Sequence, residues 1–547
     1  MGFNVSVVGF GDMVCEMPLT GSELLSLSRV EGGHQVVACR VNHYLRPLSW
    51  VIDGPSEVQF VDTGSFEGME VYRRTLSFLL VMACKRALGQ DVIIRHSMSD
   101  GYYCELVGGE ASEDDVRAVK AEMDRLIGLN IPIHREVLPL DKAKAVFERQ
   151  GNLDKARLLK WTAVDPVVTY RCAETYGYFY APLASSTGQV KVFDLLYYPP
   201  GMVLQFPTVS FPDRIPPFQA PKSLAEVFIE YSQWLDVLGV TTMDSIHERV
   251  ASGRGLELIL VSEALHGEAL ARVAREICER GQIKLVCLAG PSGSGKTTTA
   301  KRLQVQLQVC GKRPVAISLD DYFVDREKTP RDENGDYDFE ALEALDLDAI
   351  NRDLSDLMEG KEVQLPKFDF ITGRRKPGKR LKITGDDVII IEGIHGLNER
   401  LTRSIPDEMK YKIFVSPLTG VSLDRHNRTS TTDNRLLRRL VRDHRVRGHS
   451  PESTLLRWPS VIRGSHRHIF PYQAVADVMF NTALVYELPV LKGYAEPLLR
   501  AVPEESPAYG EAQRLLSMLR FVPFIPSDNV PNLSILREFI GGSCFED

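Results

Sequence analysis

The sequence predicts an α/β protein whose C-terminal part is a parallel sheet flanked by helices, preceded by smaller units that mix strands and helices. Three observations carry this reading. The stretch "IKLVCLAGPSGSGKTTTA", residues 283–300, passes from an apolar strand through a glycine-rich loop into a helix. After it, apolar strands and helical stretches alternate, as a parallel sheet covered on both faces requires. Before residue 206, short strands and helices occur without that regular alternation.

The bulk numbers set limits first. A chain of 547 residues is too long for one core, and about two to four domains are expected. With 44% hydrophobic and 25% charged residues the composition is that of a globular protein. A net charge of -8 gives no global attraction to nucleic acid or membrane. The start "MGFNVSVVGFGDMVCEM" has no basic, then apolar, leader pattern, and "LSFLLVMAC" is too short to span a bilayer. Nine scattered cysteines without a C-x-x-C pair favour reduced thiols, so a cytoplasmic protein off the membrane is expected.

In chain order, residues 1–65 read as short strands around one helix, with Thr20 or Ser22 as its cap. Residues 66–205 open with the helical "FEGMEVYRRTLSFLLVMACKRALGQ" and a second helix after Ser112, whose first turn is acidic. A helix–turn–helix, "PLDKAKAVFERQGNLDKARLLK", leads into a strand-rich, aromatic segment. The five prolines within 206–223 suggest a stiff linker, because proline fixes φ and removes a ladder donor. Residues 224–282 read as a helical connector. From 283 to 547 the strands "IKLVCLAG", "PVAISL", "DVIIIEG" and "YKIFVS" alternate with helices from 296 and near 339–358.

"GPSGSGKT" fits G-x-x-x-x-G-K-[ST] in the right strand–helix context. Gly290, Pro291, Ser292, Gly293, Ser294 and Gly295 would turn backbone N–H groups toward phosphate oxygens, continued by Lys296, Thr297 and Thr298 at the helix N-terminus. Lys296 would neutralise the β/γ-phosphates and the Thr297 hydroxyl would sit on Mg²⁺. Asp320 and Asp321, in "SLDDYF", end a strand where open α/β sheets place ligands. A carboxylate there can take a proton from an acceptor hydroxyl and approach the metal. Glu392, at the end of "VIIIEG", reaches the same edge. In "NRLLRRLVRDHRVRGHS" six arginines share one helical segment, with Arg435 and Arg439, and Arg438 and Arg442, as i,i+4 neighbours. Such charge stacking predicts a lid over phosphates.

These motifs, in this order over about residues 283–485, resemble the uridine kinase and phosphoribulokinase group of small-molecule kinases. The resemblance implies ATP and Mg²⁺ as cofactors and Asp320 as the catalytic base with Lys296 and Arg442. It implies Thr297, Asp320 and Glu392 around the metal, and Arg439, Arg442 and Arg447 at the acceptor and lid. Asp338, in "YDFE", would bind sugar hydroxyls. In "FDFITGRR" the family's Tyr and His become Phe368 and Gly373, beside Asp369, and the lid's second Arg becomes His449. A ring-stacking role passes to Phe368 while polar reading of uracil is largely lost.

Residues 1–65 resemble a TGS-type β-grasp domain, and 66–205 resemble the α+β editing half of threonyl-tRNA synthetases. There Arg74 and Phe78 stand where that family has two His, and Tyr176 stands where a His follows Cys172. One cysteine cannot hold zinc, so no zinc and no editing are expected. The long bacterial nucleoside kinases that join these halves resemble nearly the whole chain. Three readings follow: a kinase acting on a small acceptor such as a nucleoside, a nucleotide-switched RNA- or ribosome-binding factor, and a kinase of sugar phosphates using Arg457 and Arg463. The negative charge and the lack of a basic, aromatic stripe in 1–205 disfavour RNA. A homo-oligomer is left open.

Overall fold

The computed structural model describes residues 2–28, 33–162, 164–219, 222–331, 335, 337–385 and 387–545. Its first unit holds β1 (Phe3–Val7), β2 (Gly11–Cys15), α1 (Gly21–Ser28), β3 (Val36–Val41), β4 (Tyr44–Pro47) and β5 (Ser56–Asp62). They form a sheet in the order β2-β1-β5-β3-β4, in which the neighbours β1 and β5 run parallel. Leu24 of α1 packs on Val5 and Val58. Thr20 opens α1 through a reciprocal pair: its N–H donates to Glu23 Oε2 at 2.7 Å, and the Glu23 N–H donates to Thr20 Oγ1 at 3.2 Å.

The second unit is built on α2 (Phe66–Leu88), most of whose face is buried. It is followed by β6 (Val92–Met98), β7 (Gly101–Leu106), α3 (Glu113–Gly128), β8 (Ile133–Leu138), α4 (Leu140–Arg149) and α5 (Leu153–Lys160). Then come β9 (Val167–Cys172), β10 (Thr175–Gly177), β11 (Asp194–Tyr198) and β12 (Gly201–Gln205). Ser112 caps α3, and its bond is returned by Asp115 in a capping box. Two sheets result, β8-β9-β10 and β11-β12-β7-β6. The proline-rich segment begins buried, with Phe206 edge-on to Tyr102, and continues as an irregular strap whose Phe218 packs on Tyr198. Residues 220 and 221 of that segment lie outside the described residues.

Helices α6 (Lys222–Leu238), α7 (Met243–Ala251) and α8 (Gly255–Arg280) lead to the third unit. It contains β13 (Leu285–Ala289), α9 (Lys296–Val309), β14 (Arg313–Ser318), α10 (Leu347–Met358) and the hairpin β15 (Val363–Asp369) and β16 (Arg374–Leu381). Next are β17 (Asp387–Gly393), β18 (Lys410–Ser416), α11 (Thr431–Arg447), α12 (Pro451–His468) and β19 (Val478–Asn481). The chain closes with α13 (Glu487–Arg500), α14 (Tyr509–Leu519) and the short α15 (Arg537–Ile540). The main sheet is parallel throughout, in the order β14-β17-β13-β18-β19. Strand β13 shows why its sequence is apolar at every position. Val286 and Leu288 enter one core with Leu303 and Leu307 of α9, while Leu285 and Cys287 enter the other with Ile350 and Leu354 of α10.

The helix expected near 339–358 is shorter than the sequence suggests. It starts at Leu347, because the Asp346 carboxylate caps it by accepting from the Ala349 N–H at 3.0 Å. Residues before it fold as turns, including a 3₁₀ turn over Leu342–Ala344.

The segment between β18 and α11 is clamped by the second unit. Lys155 Nζ and Asp424 Oδ1 pair at 2.6 Å with side chains 2% and 0% exposed. Around them the Ile94 N–H donates to the Arg425 carbonyl at 2.9 Å, and the Arg425 N–H donates to Asp154 at 2.8 Å. Asn427 Nδ2 donates to the Tyr178 carbonyl at 2.8 Å, and His426 meets Asp91 at 2.8 Å. The second unit therefore holds the root of the arginine-bearing helix.

Candidate active site

The loop after β13 approaches β18 so closely that a Cβ on Gly290 would lie 2.1 Å from the Val415 carbonyl oxygen. Gly293 and Gly295 sit at φ +79 and +82, which only glycine adopts without strain. The loop carbonyls are held from behind. Pro291 O accepts from the Ser294 N–H, Ser292 O from Arg435 Nε at 2.9 Å, Gly293 O from Arg438 at 3.3 Å, and Ser294 O from Thr482 Oγ1 at 2.7 Å. With its carbonyls occupied, the loop presents N–H groups and the α9 dipole to an anion.

Lys296 Nζ donates to the Pro291 carbonyl at 3.3 Å. Burial pushes its ammonium below the ordinary lysine value, against the pull of the Glu392 and Asp320 carboxylates. Glu392, the residue before the last of β17, is 7% exposed and accepts from Ser318 Oγ at 2.9 Å and Thr297 Oγ1 at 3.5 Å. Burial first, then the neighbouring Asp320 charge, pushes the Glu392 carboxyl up to about 7. Two repelling carboxylates and one hydroxyl are the oxygen donors that Mg²⁺ takes together with phosphate oxygens, so Thr297, Asp320 and Glu392 fit that ion.

The two aspartates after β14 divide their work. Asp321 accepts from the Phe368 N–H at 3.2 Å and lies 3.4 Å from Lys367 Nζ, tying down the β15–β16 hairpin. Asp320 is half-buried beside Glu392 and Lys296.

The arginines do not form one charged face as expected. Arg438 is fully buried, paired with Glu487 (NH2 to Oε2, 2.7 Å), and Arg435 is buried over the Trp458 ring. Both brace the loop from behind, which removes the repulsion inferred from their spacing. The front of α11 carries Arg439, Arg442 and Arg447, all converging on Asp443 at 3.1, 2.7 and 3.6 Å. Arg439 also donates to Ser292 Oγ at 2.9 Å. His449 Nδ1 lies 3.9 Å from Asp443.

The acceptor-side candidates sit in turns and in an aromatic cluster. Asp338 uses Oδ1 to accept from the Glu340 N–H at 3.0 Å, so it shapes a turn. It is Glu340 that is directed inward, with a buried, unpartnered Oε2. Burial pushes its carboxyl up, opposed by Arg439 and Lys296. The resemblance pointed only to Asp338, and Glu340 enters through the geometry of the turn. Phe368 is 5% exposed inside an aromatic cluster with Phe323 and Phe370, whereas Phe370 is 48% exposed, with the Arg447 guanidinium 5.6 Å over its ring. Asp369 accepts from the N–H groups of Ile371 and Thr372 at 3.0 and 3.2 Å and shapes the hairpin turn. Gly373, at φ +69, is covered by Arg326: an added Cβ would lie 2.9 Å from Arg326 Nε.

In the second unit Arg74 donates to the Pro182 carbonyl at 2.6 Å and Phe78 packs edge-on to Phe179. Cys172 is buried, its thiol pushed up to about 11 by burial. Tyr176 is half-buried in its strand and His134 is exposed. His96 lies stacked 3.5 Å from Phe228. Among the described residues no group of three or more His, Cys, Asp or Glu could hold a metal ion. No helix among them is long and apolar enough to cross a membrane.

Residues 285–487 match the phosphoribulokinase / uridine kinase family. A uridine kinase of Brevibacillus brevis is 33% identical over 200 residues, which are 36% of this chain and 85% of that protein. A uridine kinase of Staphylococcus aureus is 32% identical over 196 residues, 36% of this chain and 86% of its own. The solved structure of a possible uridine kinase from Bacillus stearothermophilus aligns at 19% identity with a TM-score of 0.25, over 36% of this chain and 89% of that one.

Proposed function

Because its C-terminal half belongs to the phosphoribulokinase / uridine kinase family, and the chain is thus an ATP-dependent small-molecule kinase, we propose that its acceptor is a nucleoside hydroxyl. The observation that carries this reading is Glu340, a half-buried residue whose Oε2 is buried and unpartnered, close enough to Lys296 and Asp320 to feel their charges. A sugar bearing vicinal hydroxyls would satisfy that oxygen, and Phe370 offers a ring face for a base.

In this mechanism the loop amides and Lys296 hold the donor phosphates, and Asp320 orients the attacking hydroxyl and accepts its proton. Bound Mg²⁺ would neutralise charge on the phosphate oxygens. Arg439, Arg442 and Arg447, pre-aligned by Asp443, stabilise negative charge as it develops on the transferring group. The arm from β18 to α11 couples these arginines to the N-terminal units, which serve as a TGS-like and editing-like regulatory module without zinc.

A second reading, a sugar-phosphate acceptor, is favoured by the exposed Arg457, whose charge acts on both His449 and Arg439. ATP consumption against a panel of nucleosides, pentose phosphates and RNA separates the readings: turnover with a nucleoside supports the first, and turnover only with a sugar phosphate overturns it. Glu340→Gln is expected to raise the acceptor KM by about tenfold or more while the Kd for ATP holds. An unchanged acceptor KM contradicts the role given to Glu340.

A further inference from the structure

The chain continues beyond residue 487, where the family match ends, and its last described segment returns to the phosphate loop. Ile535, Leu536 and Phe539 are fully buried there. Ile535 packs so tightly on the loop that a Cβ on Gly295 would lie 2.6 Å from its Cγ2. Arg445 of α11 donates to the backbone carbonyls of Phe539 and Glu538 at 3.2 and 3.0 Å, and the Phe539 ring lies 5.0 Å from the Arg438 guanidinium. Between these anchors stands Glu538. One carboxylate oxygen accepts from both the Thr298 N–H, at 3.1 Å, and Thr298 Oγ1, at 2.8 Å.

Thr298 is the third residue of α9, so its N–H is one of the donors a phosphate loop offers to the nucleotide. The hydrogen bonds of the Glu538 side chain go to Thr298, on the side of the cradle nearer the helix, while its charge also acts on Lys296. A half-buried glutamate on an otherwise buried segment can turn away without unseating Ile535 or Phe539. We infer that Glu538 is a built-in competitor for the donor site: its carboxylate holds the phosphate seat on Thr298, and an incoming nucleoside di- or triphosphate must displace it. The inference rests on the loop being the ATP site. Affinity for the donor nucleotide is then set by the tail as well as by the loop, because a site whose competent form is only fractionally populated binds more weakly by that fraction. The same tail contacts Arg445 on the helix that carries the lid arginines, so nucleotide entry and the position of α11 are linked through one segment.

Calorimetric titration of the full chain with ADP and Mg²⁺ tests this, using wild type, Glu538→Gln and Glu538→Ala, with Lys296→Ala as control. Both Glu538 variants are expected to bind ADP about three- to tenfold tighter than wild type, and Lys296→Ala to bind more weakly. Glutamine keeps the side-chain shape, so a fold lost in the alanine variant leaves the test intact. Equal affinity in wild type and both variants, or weaker binding in them, overturns the inference while leaving the ATP site standing. ADP binding by none of the four proteins, Lys296→Ala included, overturns the assignment of the loop itself.

Discussion

Asp320→Asn is expected to lower kcat by about 10²- to 10⁴-fold, the range that a positioned general base contributes, with the Kd for ATP within about twofold of wild type. The substitution keeps shape and removes the charge proposed to orient the acceptor hydroxyl and accept its proton. Asp320 leaves the end of β14 half-buried, close enough to raise Glu392 and to act on Lys296. Its neighbour serves as the contrast. Asp321→Asn touches the β15–β16 hairpin through Phe368 and Lys367, so its effect belongs on stability and acceptor KM. Single-turnover kinetics separate the two variants. A fall in kcat of less than tenfold for Asp320→Asn contradicts its role as base.

The largest stability effect is expected from Lys155→Met. It leaves Asp424, 0% exposed, charged and without its cation. Removing one partner of a buried ion pair costs about 3–5 kcal/mol. Asp424 also accepts from the backbone N–H groups of His426 and Asn427, at 2.9 and 3.1 Å, so neutralising it as well, in Lys155→Met/Asp424→Leu, orphans those donors and recovers only part of the loss. Because the loop it fixes leads into α11, the same variant is expected to raise the KM for both substrates. Chemical unfolding followed by limited proteolysis reads the first effect and steady-state kinetics the second. Wild-type stability in Lys155→Met would show that the pair does not clamp the two halves together.

Much of the site was legible because its determinants are local. "GPSGSGKT" declares its turns through glycines and its helix through position, and "SLDDYF" and "VIIIEG" place acids at strand ends by the rule of parallel sheets. What the sequence hid lies in orientation and in distance along the chain. Nothing in "YDFE" tells that Asp338 caps the turn while Glu340 turns inward. The arginine run reads as one charged face until Glu487 neutralises Arg438 from another helix. The contacts of Lys155 with Asp424 and of Thr298 with Glu538 join residues 269 and 240 positions apart, which no local pattern encodes. Phe368 and Gly373 were readable as departures from the uridine kinase pattern, but the packing of Phe368 in the cluster and the cover of Arg326 over Gly373 emerge only from the fold.

Transfer of the γ-phosphoryl group of ATP to a nucleoside hydroxyl is the proposed reaction. Following γ-labelled ATP by phosphorus NMR, with Mg²⁺ and a panel of nucleosides, tests it most directly, with Asp320→Asn beside the wild type. Label is expected in a nucleoside monophosphate and is expected to be lost in the variant. Label appearing only in inorganic phosphate, or only in a sugar bisphosphate, would contradict it.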